Sequence, residues 1–140
     1  MAAAFFMTGP RTFRFLRAHR LAGRRAFAQV FDARLRKPVG PLVFVGLANG
    51  LPHNRLGLSV GRAVGNAVQR HRVKRLLREA FRLTQHDLPQ GYDVVIVVRP
   101  HRCLTLTDYR DLLARGVAAI DAETGRRIAR SRKREGEAMP

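Results

Sequence analysis

Between Arg62 and Arg82 the chain reads R-A-V-G-N-A-V-Q-R-H-R-V-K-R-L-L-R-E-A-F-R, and Val73, Leu76, Leu77 and Ala80 recur in it at i, i+3, i+4 and i+7. That spacing is the apolar stripe of a helix laid on a core. Asn66, followed three residues later by Gln69, is a capping-box pattern that predicts where the helix starts. On the opposite side His71, Arg75, Arg78 and Arg82 fall at i, i+4, i+7 and i+11, with Arg72 and Lys74 beside them. Like charges at these spacings repel by a few tenths of a kcal/mol per close pair. Glu79 is the only acid on the helix, so a face of balanced, solvated charges fits poorly and a polyanion is the expected counter-charge.

The rest of the chain has weaker but readable periods. Leu21, Phe27, Val30 and Phe31 predict a short helix over residues 20–32, ended by Pro38, Gly40 and Pro41. Leu42–Ala48 reads as a strand, and Asn49-Gly50-Leu51-Pro52 as the turn after it. From Arg55 to Gly61 the residues alternate: Leu56, Leu58 and Val60 point to the core, while Gly57, Ser59 and Gly61 leave the other side small. A backbone or ligand could approach that side closely, or the small residues are merely tolerated on a thinly covered face. The V-V-I-V-V run within Asp93–Val98, bounded by Gly91 and Pro100, predicts a central strand covered on both faces. A last helix is expected after a Thr107 cap, with Asp108 and Asp111 in its first turn and an apolar stripe of Tyr109, Leu112, Leu113, Gly116, Val117 and Ile120. Beyond Gly125 no period is left. The expected organisation is a flexible basic arm over residues 1–19, one domain over 20–122, and a basic tail over 123–140 that is disordered or ordered only on RNA.

Charge sharpens this picture. The 140 residues carry 27 Lys and Arg against 10 Asp and Glu, a formal net charge of +17, far beyond what solubility favours, which points to nucleic acid or an anionic surface. Residues 1–78 hold 16 of the 27 cations and one acid, Asp32, so the binding surface is expected in the first half. Arg outnumbers Lys 24 to 3, which suits bidentate phosphate contacts, although a biased genome would give the same skew. With 46% apolar residues the chain can build one modest core. Cys103 is the single cysteine, so a disulfide framework and a thiolate metal cluster are excluded and a reducing cytoplasm is expected. No apolar run approaches a membrane span, and Ala2–Met7 is too short for a signal-peptide core. The Arg-rich, acid-poor start also fits a mitochondrial presequence, but residues from Arg20 onward already read as part of the fold.

Hydrolytic chemistry finds no support in the side chains. Asp32, Asp87, Asp93, Asp108 and Asp111 are scattered, and His19, His53, His71, His86 and His101 fall in separate segments without an obvious carboxylate orienter. We therefore expect no catalytic residue and no metal ligand in the polypeptide.

Three blocks in order, R-L with F-A-Q-V-F, then R-L-G-L-S-V-G-R, then G-N-A-V-Q-R-H-R-V-K-R-L-L-R-E-A-F, together with the order of elements, resemble the protein component of bacterial ribonuclease P over about Arg20 to Ile120. The resemblance implies a single α/β (α+β) domain with a four-stranded mixed sheet, helices and a left-handed crossover, of the type of the second domain of ribosomal protein S5. It implies a monomeric accessory subunit, one per catalytic RNA, in a ribonucleoprotein that removes the 5′ leader of precursor tRNA. Catalytic groups and the required Mg2+ would belong to the RNA, with no cofactor held by the protein alone and no membrane partner. Implied RNA contacts are Arg62, Asn66, Arg70, His71, Arg72, Lys74, Arg75 and Arg78; His71 stands where the family has Asn and lacks an amide's paired donor and acceptor. The implied leader cleft uses Phe27, Phe31, Val45, Gly57, Ser59 and Gly61. Val45, at a position the family fills with an aromatic, offers no ring to stack, whereas the spacing of Phe27 and Phe31 taken alone favours core packing. The alternative from a different class is a basic structural RNA-binding protein, ribosomal or chaperone-like, without a role in cleavage.

Overall fold

A computed structural model describes residues 14–138, and they fold as a four-stranded mixed sheet with three helices. In chain order these are α1 (Arg24–Asp32), β1 (Arg36–Val39), β2 (Leu42–Ala48), β3 (Arg55–Val60), α2 (Ala67–Thr84), β4 (Tyr92–Val98) and α3 (Leu106–Ala138). The sheet order is β1-β2-β4-β3, antiparallel except for the parallel pair β3 and β4. Placing β4 between β2 and β3 explains its uninterrupted apolar run, since a central strand is largely covered on both faces, here at every position but Val97.

The pleat divides the core in two. Leu42, Phe44, Leu56, Val94 and Ile96 face α2 and α3 and join Leu77, Tyr109, Leu113 and Ile120 in the larger cluster. Val43, Val45 and Val95 face the other way and pack with Leu21 and Val30 under α1. A nine-residue helix is too short to roof that face, and Ser59 and Val97 stay partly open.

One close approach sets how tightly α3 seats. A Cβ at Gly116 would run into the Phe44 ring, so only glycine lets the helix backbone lie against that fully buried phenylalanine. At the sheet's end, the buried Asp93 carboxylate accepts from Arg55 Nε (2.7 Å) and Nη2 (2.6 Å) and from Asn49 Nδ2 (2.9 Å), which ties the starts of β3 and β4 to the loop that joins β2 to β3.

Several expectations need correction. β1 lies where Pro38, Gly40 and Pro41 predicted a break: it is an edge strand, whose outward backbone needs no donor, and it turns into β2 through Gly40-Pro41. The first helix begins at Arg24, because residues 20–21 are extended and Leu21 N–H donates to Leu56 O at 2.9 Å. The cap of α3 is Thr105, whose Oγ1 accepts the Asp108 N–H (3.2 Å) while Asp108 Oδ2 accepts the Thr105 N–H (3.4 Å), two residues before Thr107. Residues 1–13 of the expected flexible arm lie outside the described residues; of 14–19, Phe15 and His19 are partly buried, with Phe15 edge-on to Phe81 at 5.6 Å.

The largest departure is at the other end, where α3 runs on to Ala138 instead of giving way to a disordered tail from residue 123. Glu123 holds the extension down: its carboxylate meets Lys37 of β1 (3.4 Å) and Arg126 (3.0 Å), Arg127 (3.5 Å) and Arg130 (2.7 Å) on its own helix. Hydrogen bonding from Arg126, then Arg130 and Lys37, pulls its carboxyl down to about 2. Arg127 also donates to the Ala33 and Arg34 carbonyls (2.8 and 3.0 Å) at the C-terminus of α1, where the helix dipole is negative.

Two tests follow from this packing. Gly116→Ala gains about 1 kcal/mol of helix propensity but must push Phe44 aside at a cost of about 1–3 kcal/mol, so chemical denaturation is expected to show a net loss of stability. Glu123→Gln is expected to destabilise the domain at neutral pH. Because the folded carboxyl lies below its usual 4.5, the stability it contributes is present above that value and is lost as pH falls toward about 2. Unfolding curves of the two proteins, separated at pH 7, are therefore expected to converge across that window.

Candidate nucleic-acid interface

α2 carries most of the candidate residues, and its cap sets their phase. Asn66 Oδ1 accepts the Gln69 N–H (2.9 Å) and Gln69 Oε1 accepts the Asn66 N–H (2.8 Å), the capping box read from the sequence. Val73, Leu77, Ala80 and Phe81 then point into the core and Leu76 is partly buried, which leaves His71, Arg72 and Arg75 exposed and Lys74 and Arg78 half-buried. Arg82 differs, since Glu79 takes its guanidinium on both oxygens. Among the described residues Arg70, Arg72, Lys74, Arg75 and Arg78 form no ion pair. Arg70 Nε is buried without a hydrogen-bond partner. Positive charge therefore stays uncompensated along the first three turns and is partly matched at the fourth.

A groove of about 260 Å³ runs along one side of α2, lined by Phe15, Arg20, Leu21, Phe27, Gly57, Leu58 and Arg78. Its floor is Gly57: a Cβ there would lie 2.6 Å from Phe27 Cζ, so the ring rests directly on the backbone of β3. Its walls are cationic. Partial burial, then the charge of Arg20, lowers the Arg78 pKa, and the Arg20 guanidinium stands 5.8 Å above the Phe15 ring. Two cations facing a small aromatic-lined trough across a glycine floor suit a flat, negatively charged strand: rings for bases, guanidinia for phosphates. On the other side of α2 two depressions of about 370 and 400 Å³ share Arg72, one with Arg75 and Val68, the other with His101 and Arg102.

Of the residues expected in a cleft, the structure brings Phe27 and Gly57 together. Ser59 is partly buried on the same face of β3, whereas Gly61 lies past the strand with no neighbour near its Cβ position. Phe31 is 41% exposed one turn beyond Phe27 and does not line the groove. Val45 must be corrected: it is 0% exposed beneath α1 and has no surface to offer a ligand. Arg62 is exposed in the turn Arg62–Val64, and Asn66 has its carbonyl oxygen committed to the cap.

Phe15 and Arg20 were missed. The signal was present in the alternation of aromatic and basic residues through F-R-F-L-R, but the contact that makes it matter, Phe15 on Phe81, joins segments far apart in sequence. Next to Phe15, the His19 ring sits 5.4 Å from that of His53, and burial, then the charges of His53 and His86, lowers its pKa. Among the described residues no three His, Cys, Asp or Glu side chains converge to hold a metal ion, and no helix is long and apolar enough to cross a membrane.

Fold and surface define a basic α/β protein that sets a cationic helix beside an aromatic groove. The family model for ribonuclease P matches residues 15–119, and this chain belongs to the ribonuclease P protein family. A ribonuclease P protein component from Pseudomonas putida (strain GB-1) is 48% identical over 87 residues, 61% of this chain and 64% of that protein. One from Natranaerobius thermophilus is 52% identical over 58 residues, 41% of this chain and half of that protein. The chain thus spans between half and about two-thirds of the length of these curated relatives. Among solved structures, the ribonuclease P protein of Thermotoga maritima superposes with a TM-score of 0.64 at 29% identity, covering 70% of this chain and 94% of that one. That of Staphylococcus aureus gives 0.64 at 26%, covering 75% and 96%.

The groove geometry yields a direct test. In Gly57→Ala the new methyl would displace the Phe27 ring, at an expected cost of about 1–3 kcal/mol in denaturant unfolding. Combining it with Phe27→Ala is expected to recover part of that loss, the signature of a contact between the two sites.

Proposed function

We propose that this chain is the protein subunit of a bacterial ribonuclease P, binding the catalytic RNA through α2 and the single-stranded 5′ leader of precursor tRNA through the Phe15–Phe27–Gly57 groove. The observation that carries this reading is the juxtaposition itself. Five cations of α2 have no ion-pair partner among the described residues, and the trough beside them is lined by Arg20 and Arg78 together with the partly buried rings of Phe15 and Phe27. Arg70, Arg72, Lys74 and Arg75 make phosphate contacts to the RNA subunit, and His71 adds a hydrogen bond or a stacking face at the motif's centre.

The groove takes the leader without regard to sequence. A ring face contributes about 1–3 kcal/mol per stacked base whatever the base, and the guanidinia track the backbone. Chemistry is left to the RNA and its Mg2+. By lowering the repulsion between two polyanions, the protein reduces the divalent salt they need to associate. It works as a monomer, one per RNA subunit, in the bacterial cytoplasm.

The test is reconstitution. Purified protein is added to a bacterial ribonuclease P RNA and precursor tRNA at low Mg2+, and restored leader removal is the expected result. RNA binding without restored cleavage would instead make the chain a general basic RNA-binding protein, and cleavage without added RNA would make it a nuclease. Arg72→Ala and Arg75→Ala are each expected to weaken RNA association and to reduce the salt slope by about 1. Phe27→Ala is expected to lower affinity for precursor more than for mature tRNA, whereas equal losses for both would leave the ring a packing residue only.

A further inference from the structure

The extension of α3 holds cations that neither the groove nor α2 uses. From Arg126 to Arg134 the sequence R-R-I-A-R-S-R-K-R carries six cations and no acid. These charges fall into two groups. Arg126, Arg127 and Arg130 are tied to Glu123, and Arg127 also caps α1. Through Ile128 and Ser131 the helix still lies against the domain, lining a pocket of about 250 Å³ with Ala33, Leu35 and Leu47. Past Ser131 the situation changes. Arg132, Lys133 and Arg134 are exposed and form no ion pair among the described residues, although Glu135 and Glu137 lie within a turn of them. Three consecutive cations fan around a helix at about 100° steps, so their charge is spread over about 200° of its circumference. A helix carrying them gains from an anionic surface large enough to meet several at once.

Residues 121–138 contain no aromatic side chain, so this segment has nothing on which to stack an unpaired base. Its chemistry is that of phosphate recognition, which suits the dense, regular backbone of an RNA helix better than a loose single strand. Position points the same way. The extension is pinned to β1 by Lys37, at the edge of the sheet opposite β3, whose Gly57 floors the groove. With strands about 4.8 Å apart, three spacings separate the two edges by roughly 14 Å. The tail thus starts from the edge of the sheet away from the groove.

We propose that the end of α3, centred on Arg132, Lys133 and Arg134, is a second RNA contact that grips the phosphate backbone of a helical region of the ribonuclease P RNA. This rests on the functional reading above. The test is the full chain carrying Arg132→Gln, Lys133→Gln and Arg134→Gln, three changes that keep helix-forming side chains and leave the Glu123 cluster intact. Binding to a bacterial ribonuclease P RNA is titrated over a range of salt concentrations, and the affinity of each reconstituted enzyme is measured for precursor tRNA with and without its leader. Expected are a salt slope lower by up to about 3, an affinity for the RNA reduced roughly tenfold or more at moderate salt, and an unchanged ratio between leader-bearing and leaderless tRNA. Unchanged slope and affinity would overturn the proposal, as would a loss confined to leader-bearing precursor, which would place the tail on the leader. The unsubstituted chain keeps the two readings distinguishable. If it restores cleavage while the variant matches it in slope and affinity, this inference alone fails; if it neither binds nor restores cleavage, both fail.

Discussion

Parallel pairing of β3 with β4 is the constraint from which the functional surface follows. Two adjacent parallel strands cannot be joined by a hairpin, so the chain between them must cross over the sheet, and that crossover is α2. The helix with the highest density of positive charge is thereby fixed next to β3, the strand whose small residues floor the groove. The buried Asp93, held by Arg55 across the first rung of that pair, keeps β3 and β4 in register. A slip by one residue would send Gly57 to the opposite face and put a leucine under Phe27.

Several of the acids of this chain support the fold, and none of those described pairs with Arg70, Arg72, Lys74, Arg75 or Arg78 of α2. Asp93 joins two strands, Asp121 accepts from the Tyr92 hydroxyl, Glu123 fastens α3 to β1, and Glu79 takes Arg82 at the far end of α2. The first three turns of α2 are left without a counter-charge among the described residues. That arrangement costs stability in the free protein by self-repulsion and makes an anionic partner the natural source of compensation.

What could be read in advance was local. The cap and phase of α2 depend on residues within a turn of one another, and β4 shows as an unbroken β-branched run, so both were visible. β1 was hidden because Pro38, Gly40 and Pro41 look like punctuation, and only its position at an edge makes proline acceptable. The extension of α3 was hidden for another reason: no apolar period supports it, and it is held by Glu123, Lys37 and the carbonyls ending α1, none of which leaves a periodic trace. Val45 shows the limit of strand parity, which says which face a side chain takes but not whether a helix covers it. Half of the groove was legible, Phe27 with Gly57, while Phe15 and Arg20 depended on long-range packing.

The contact between Phe27 and Gly57 also bears on the thermodynamics of anything that enters the groove. A phenylalanine held against bare main chain has already lost its rotamer freedom during folding, so an incoming planar group does not have to immobilise it. Pre-organisation of this kind raises affinity without adding a single polar contact, and it does so equally for every base. A strand that entered such a groove would be gripped without regard to what it encodes.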